Sequence, residues 1–169
     1  DVAERFAQRA QNYRLLFDPE TKFFRPKNHE GAFIEGFDPL EYFDRGGTYT
    51  EGTAWLWRFY VPHDPEGLRD LFGAEAFAAA LEEFFERSAI NDGDLVRQFL
   101  PDKYYWHGNQ PPLHSVFLFA ATGNDDRLDF WGDKVRTRAY TTEPSGLRGN
   151  DDGGTLSSWY VFAALGLYP

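Results

Sequence analysis

The chain has 169 residues and a formal net charge of −10, from 27 Asp and Glu against 17 Lys and Arg. Such a balance disfavours the phosphate backbone of a nucleic acid as a partner. No apolar run is long enough for a membrane span, and with no cysteine there are neither disulfides nor thiolate metal sites. The length suits one domain with a sizeable core. Methionine is also absent, and the sequence opens at Asp1 in what reads as running helix and stops at Tyr168-Pro169. It is therefore expected to be a piece of a longer chain.

Val2, Phe6, Ala10, Tyr13, Leu16 and Phe17 recur at helical spacing and predict a helix over 2–17, stopped by the turn Asp18-Pro19-Glu20-Thr21. From Lys22 to Thr50 no period holds. Aromatic pairs such as Phe23-Phe24 and Tyr42-Phe43 are punctuated by Gly and Pro, which predicts a long structured loop of the functional kind. A Trp- and Phe-rich helix is expected over 51–60, ended by Val61-Pro62-His63-Asp64-Pro65. A short helix over 66–72 and a longer one over 74–87 follow. Asn91-Asp92-Gly93-Asp94 resembles a fragment of a calcium loop but lacks its twelve-residue spacing and terminal Glu, and reads as a turn. Helices are expected over 113–121 and 127–140, the second capped by Asn124 or Asp125. The last helix, 155–165, is apolar almost all round and is expected to be buried. No useful alternating strand pattern occurs. About six helices with long loops on one side predict an all-α fold, stacked helical hairpins forming part of an α/α toroid.

Three loop-to-helix junctions hold the unusual residues. The first runs from Gly46 to Trp55 and carries Glu51. The second, Tyr104 to His114, carries Trp106, His107, Asn109 and Gln110. The third, Gly149-Asn150-Asp151-Asp152-Gly153-Gly154, aims two carboxylates at a helix N-terminus, whose free N–H groups and dipole favour their ionised form. Asp152 is expected nearer the helix mouth than Asp151. Each junction alone is a weak signal: a Glu before a helix is usually a first-turn charge, a His beside Trp is usually a packed ring with one satisfied nitrogen, and Asn-Asp-Asp-Gly-Gly is ordinary capping and turn chemistry. Spaced one or two hairpins apart, they are expected at a common end of the ring, where they would form a site. Aromatic residues are 18% of the chain, which suits both a filled core and a cleft where sugar faces pack on rings. Trp55, Trp106, His107 and His114 are the candidates to line such a cleft.

At these residues the sequence resembles glycoside hydrolase family 92. The likeness is carried by Tyr49-Thr50-Glu51-Gly52 with Trp55, Val61-Pro62-His63-Asp64, His107-Gly108-Asn109, and Gly149-Asn150-Asp151-Asp152-Gly153 with Ser157, Trp159-Tyr160-Val161-Phe162 and Ala164-Leu165-Gly166. The resemblance implies an (α/α)6 barrel of which this is a segment, normally behind an N-terminal β-sandwich. It also implies a calcium-dependent, inverting exo-α-mannosidase acting on mannose-containing glycans, secreted or periplasmic. Inversion needs one carboxylate to activate water and a proton donor on the other face of the sugar, about 6.5–9.5 Å away. Asp151 and Asp152 are the candidate bases, Asp152 preferred, and Glu51 is a candidate acid. Oxygen donors such as Asn109, Asp151 or a loop carbonyl would suit calcium.

One departure matters. Members of the family usually read His-Gly-Asn-Glu-Pro at the second junction, and this chain has Gln110 in the fourth place. If position 110 is the acid's seat, the chain has lost leaving-group protonation and is restricted to good leaving groups. A mannosyl phosphodiester would still qualify, because a phosphomonoester has a second pKa of about 6. Lys103, His107, His114 and Arg148 could then receive the phosphate. If Glu51 is the acid, ordinary α-mannosides remain substrates. The alternative from another class is a non-catalytic, calcium-assisted glycan-binding helical domain, and the blandest is a helical scaffold with capped junctions.

Overall fold

Several helices begin at a side-chain cap, at Asp1, Thr53, Asp64 and Asn124. The computed structural model describes residues 1–42, 48–92 and 101–168, so Gly46, Gly47, Gly93 and Asp94 lie outside it. Helix α1, Val2–Ala10, starts in a capping box between Asp1 and Glu4, then tightens into a 3-10 helix over Gln11–Leu16. The expected stripe is helical as far as Leu16, where none of its residues is buried and Phe6 keeps 59% of its surface, whereas its last member, Phe17, is buried and lies in a strand. Phe17–Asp18 (β1) and Phe23–Phe24 (β2) then pair antiparallel around the expected turn, with Phe17 opposite Phe24. Two residues per strand are too few for alternation to reveal.

Helix α2 covers only Ala54–Trp57, shorter than the 51–60 expected. The reason is local: Glu51 has φ +54, outside the right-handed region, so the helix waits for Thr53 to cap it. Helix α3, Pro65–Phe72, is capped by Asp64 with proline in its first turn, and α4, Ala74–Glu86, follows Gly73. Ala89–Asp92 forms α5, so Asn91 and Asp92 are helical rather than in a turn. A ten-residue 3-10 helix, Leu113–Thr122, precedes α6, Asp125–Arg138, whose cap is Asn124. Helix α7, Thr155–Ala164, closes the described chain.

The 3-10 helix Leu113–Thr122 is the central strut, with α3, α4 and α6 packed on it. Around it lies a core built mostly of rings: Phe59, Phe77, Phe84, Phe85 and Tyr105 have no exposed surface. Within this core sits the Arg58 guanidinium, 4.2 Å from the Phe23 ring and 4.4 Å from the Trp55 ring, its Nε donating to the Lys22 carbonyl at 3.0 Å. Burial lowers its pKa to about 10. The Val61-Pro62-His63-Asp64 stretch fastens the N-terminal helices to α3. Asp64 accepts from the Tyr13 hydroxyl at 2.7 Å and caps α3 through Gly67 N–H at 3.0 Å, and His63 Nε2 meets the Ala10 carbonyl at 2.9 Å.

Helix α7 departs from expectation. Only Leu156 and Trp159 are buried, while Val161 and Leu165 keep 55% and 65% of their surface. An all-round apolar helix reports the surroundings it is built for, and within this chain its neighbours cover one side only. Among the described residues no helix is long and apolar enough to cross a membrane.

Phe84 touches Trp55, Phe59, Phe85 and Tyr105. Phe84→Ala should therefore destabilise the fold by about 3–5 kcal/mol, read by urea denaturation. A loss below 1 kcal/mol would mean the ring cluster is not the core.

Candidate active site

Two glycines bring the second and third junctions into contact. A Cβ on Gly149 would overlap the Gly108 carbonyl oxygen, and one on Gly108 would lie 2.5 Å from the Arg148 carbonyl oxygen. Both are backbone atoms that cannot swing aside, so this approach has room only for glycine. The first junction is fastened to the second by side chains. Thr53 Oγ1 donates to the Lys103 carbonyl at 2.7 Å, and Asn109 Nδ2 donates to the Glu51 carbonyl at 2.9 Å. The Tyr42 hydroxyl also donates to the Glu51 carbonyl, at 3.3 Å. Across the other seam, Gln110 Nε2 donates to Asp152 Oδ2. The Glu51 carbonyl, Asn109, Gln110 and the Asp152 carboxylate thus form one polar seam that joins the three junctions.

The two aspartates have different surroundings. Asp151 Oδ1 accepts from Ser157 N–H at 2.9 Å and Oδ2 from the Ser157 hydroxyl at 2.8 Å. Those bonds, the backbone one foremost, hold its carboxyl below the usual range. The carboxylate at the helix mouth is therefore that of Asp151, not Asp152 as expected. Asp152 is exposed, with φ +44, and begins a left-handed run continued by Gly153 and Gly154. Its side chain meets that of Gln110. Among the described residues only Lys22, Glu51 and Asp152 are non-glycine residues at positive φ. Left-handed backbone costs such a residue about 1–2 kcal/mol, and two of the three are candidate catalytic carboxylates. Strain of this kind concentrates at working sites.

The rings expected to line the cleft mostly face inward. Trp55 is 6% exposed, stacked on Phe84 and under Arg58. His114 is buried, its Nε2 bonded to the Phe59 carbonyl at 2.8 Å. Trp106 is half-buried against Gly108. His107 is 2% exposed and belongs to a directed relay. Tyr140 donates to the Leu156 carbonyl at 2.8 Å, so its oxygen accepts from His107 Nε2–H at 2.6 Å. His107 Nδ1 then accepts from the Tyr105 hydroxyl at 2.6 Å. This fixes one neutral tautomer, and burial lowers the His107 pKa to about 3. A neutral, enclosed imidazole is no receiver for a phosphate. Arg148 is also buried, donating to the Arg138 carbonyl at 2.7 Å, whereas Lys103 is exposed. The relay ties the second junction to α7, as does Trp159 Nε1 donating to the Leu113 carbonyl at 2.9 Å. Periodicity could not separate a structural histidine of this kind from a ligand-facing one.

A half-buried aromatic wall escaped the sequence reading. Tyr49, Trp57 and Tyr60, with Tyr13 and Phe24, line a cavity of about 350 Å³ beside the Glu51 turn. Trp57 Nε1 donates to the Thr50 carbonyl at 2.8 Å, anchoring it to that turn. A signal was available, since Trp57 and Tyr60 flank the buried side of a helix that contains Trp55.

Calcium fits only in part. Among the described residues no three His, Cys, Asp or Glu side chains gather. Asn109, expected as a ligand, is 5% exposed, with its amide nitrogen on Glu51 and its oxygen accepting from Gln110 N–H at 2.9 Å. Calcium takes roughly six to eight oxygens, carbonyls and waters among them.

The family model for the glycosyl hydrolase family 92 catalytic domain matches residues 1–169. A protein of Arthroderma benhamiae named an uncharacterized secreted glycosidase is 27% identical over 98% of this chain and 22% of its own length. The structure of the family GH92 α-mannosidase BT3965 from Bacteroides thetaiotaomicron is 34% identical, with a TM-score of 0.81 over 95% of this chain and 20% of that one. Its complex with mannoimidazole is similar at 31% identity and a TM-score of 0.80, over 95% of this chain and 22% of that one. The chain spans about a fifth of the length of these relatives.

The relay has a consequence for stability. Unfolded, His107 binds a proton near pH 6.5; folded, it does so only near pH 3. The protonated form thus favours the unfolded state, and stability present above pH 6.5 is lost as pH falls towards 3. Unfolding free energy measured between pH 7 and 4 should fall with acid, and His107→Gln should show a slope shallower by up to about 1.4 kcal/mol per pH unit. Equal slopes would contradict the enclosed neutral ring.

Proposed function

The chain belongs to glycosyl hydrolase family 92, and from that premise we propose that it carries part of the active site of an inverting, exo-acting α-mannosidase on mannose-containing glycans. The meeting of the Glu51 turn, through its backbone carbonyl, with the Asn109–Gln110 loop and the Asp152 carboxylate carries this reading. Support comes from the likeness to α-mannosidase structures, one with mannoimidazole bound. The remainder of an (α/α)6 barrel, and any β-sandwich before it, would close the ring and cover the open side of α7. A secreted or periplasmic location is proposed with the same relatives in view, one being named a secreted glycosidase.

In this reading Asp152 accepts the proton of the attacking water. It is exposed and meets Gln110, whereas both oxygens of Asp151 are engaged by Ser157. Asp151 orders the loop and keeps negative charge at the helix mouth. Glu51 protonates the departing sugar oxygen from the other face. Residue 110 is one hydrogen bond from Asp152, much closer than the roughly 6.5–9.5 Å that an inverting pair needs for sugar and water. That contact favours Glu51 over position 110 as the donor. A calcium ion here would take oxygen donors, and no step is assigned to it.

A second reading has its own observation. Gln110 occupies the fourth place of a motif that usually ends in Glu, and an amide cannot serve as an acid. A mannosyl phosphodiester, such as a mannose-1-phospho-6-mannose linkage, needs none, since its leaving group has a pKa of about 6.

Turnover by the full-length protein separates these readings. Asp152→Ala should lower kcat by about 100- to 10,000-fold, with free β-mannose as the first product of the wild type by NMR. Near-full activity would remove Asp152 as the base. Gln110→Glu should leave hydrolysis of mannobiose unimproved if Glu51 is the acid. A gain there would place the acid at 110 and make the phosphodiester the natural substrate of the wild type. Mannose binding with no product from either substrate would indicate the non-catalytic glycan-binding domain.

A further inference from the structure

Asn109 is enclosed at the point where the three junctions meet, and both ends of its amide are committed. Nδ2 donates to the Glu51 carbonyl at 2.9 Å, and Oδ1 accepts from the Gln110 backbone N–H at 2.9 Å. The Glu51 peptide it grips belongs to a residue at φ +54, a conformation a glutamate does not adopt unless its surroundings impose it. The other imposed contacts are the Tyr42 hydroxyl on the same carbonyl and Gly52 beneath, where a Cβ would lie 2.8 Å from Leu56 Cδ1. The Gln110 N–H it receives belongs to the residue whose side chain meets Asp152. One buried amide therefore sets the spacing between the Glu51 turn and the loop that meets Asp152.

We propose that Asn109 is a positioning residue for this reaction, holding the Glu51 turn in its left-handed form at a fixed distance from the Gln110–Asp152 pair, rather than a metal ligand. This rests on the reading of Glu51 and Asp152 as acid and base. Losing the Nδ2 donor frees the Glu51 peptide to relax towards an ordinary turn, and the carboxyl group swings with it. Misplacement by about 1 Å costs on the order of 100-fold in rate, and because the binding surfaces are untouched the loss falls on kcat.

The test is a double-mutant cycle in the full-length protein with mannobiose. Asn109→Asp keeps the size and the acceptor for Gln110 N–H but removes the donor to Glu51. It should lower kcat about 30- to 100-fold with KM within about threefold. In the Glu51→Gln background the same substitution should have almost no further effect, because its route runs through Glu51. Tyr42→Phe, which removes the second donor to that carbonyl, should lower kcat several-fold in the wild-type background only. Calorimetric titration of calcium into metal-stripped protein should give the same affinity for Asn109→Asp as for wild type. Full multiplicative loss in both backgrounds, or weakened calcium binding, overturns the proposal while the mannosidase reading stands. Wild-type kcat in Glu51→Gln overturns it through the loss of the acid. A wild type without turnover sinks the reading itself. Should Asn109→Asp melt far below wild type, the Tyr42→Phe arm of the cycle decides.

Discussion

The approach of Gly108 to Gly149 sets the geometry on which the rest of the site depends. Each glycine faces a carbonyl oxygen at a distance no side chain could share. Backbones that meet so closely fix the His107-Gly108-Asn109-Gln110 loop against the Asn150-Asp151-Asp152 loop. Side-chain contacts are soft by comparison, since a rotamer change can absorb a displacement that two touching peptides cannot. The Gln110–Asp152 hydrogen bond and the Asn109 grip on Glu51 follow from that seam.

Behind the seam the protein uses enclosed polar groups as rivets. The chain of bonds from Tyr105 through His107 and Tyr140 to the Leu156 carbonyl has one consistent direction. It keeps a histidine neutral in a core of rings. Unsatisfied, those groups would each cost about 1–3 kcal/mol; satisfied, they tie the second junction to the first turn of α7. Asp151 acts similarly from outside, its two oxygens closing on Ser157. Two adjacent aspartates with the same charge thus acquire different roles, one orienting the loop and the other left open beside Gln110.

Much of this was legible in the chain. Caps and periods located α3, α4 and α6 within a few residues, because Asp64, Gly73 and Asn124 are local signals with local consequences. The three junctions stood out for the same reason, and their common location followed from helical spacing. What escaped depends on distant neighbours. Whether Trp55 faces a sugar or Arg58, and whether His107 meets solvent or two tyrosines, is decided by residues far along the sequence. The left-handed Glu51 escaped because nothing in a glutamate announces a positive φ, and Asp152 because an aspartate tolerates that region without requiring it. The apolar circumference of α7 pointed to burial, but the packing within this chain covers only Leu156 and Trp159.

The central claim is that Glu51 and Asp152 address one anomeric carbon from opposite faces. A crystal structure of the full-length protein with a mannose-like inhibitor bound tests it most directly. The account predicts a sugar seated over the Gly108–Gly149 seam, with a water between its anomeric carbon and the Asp152 carboxylate and Glu51 on the far side. A sugar bound away from that seam, or Asp152 turned from it into solvent, would contradict the account.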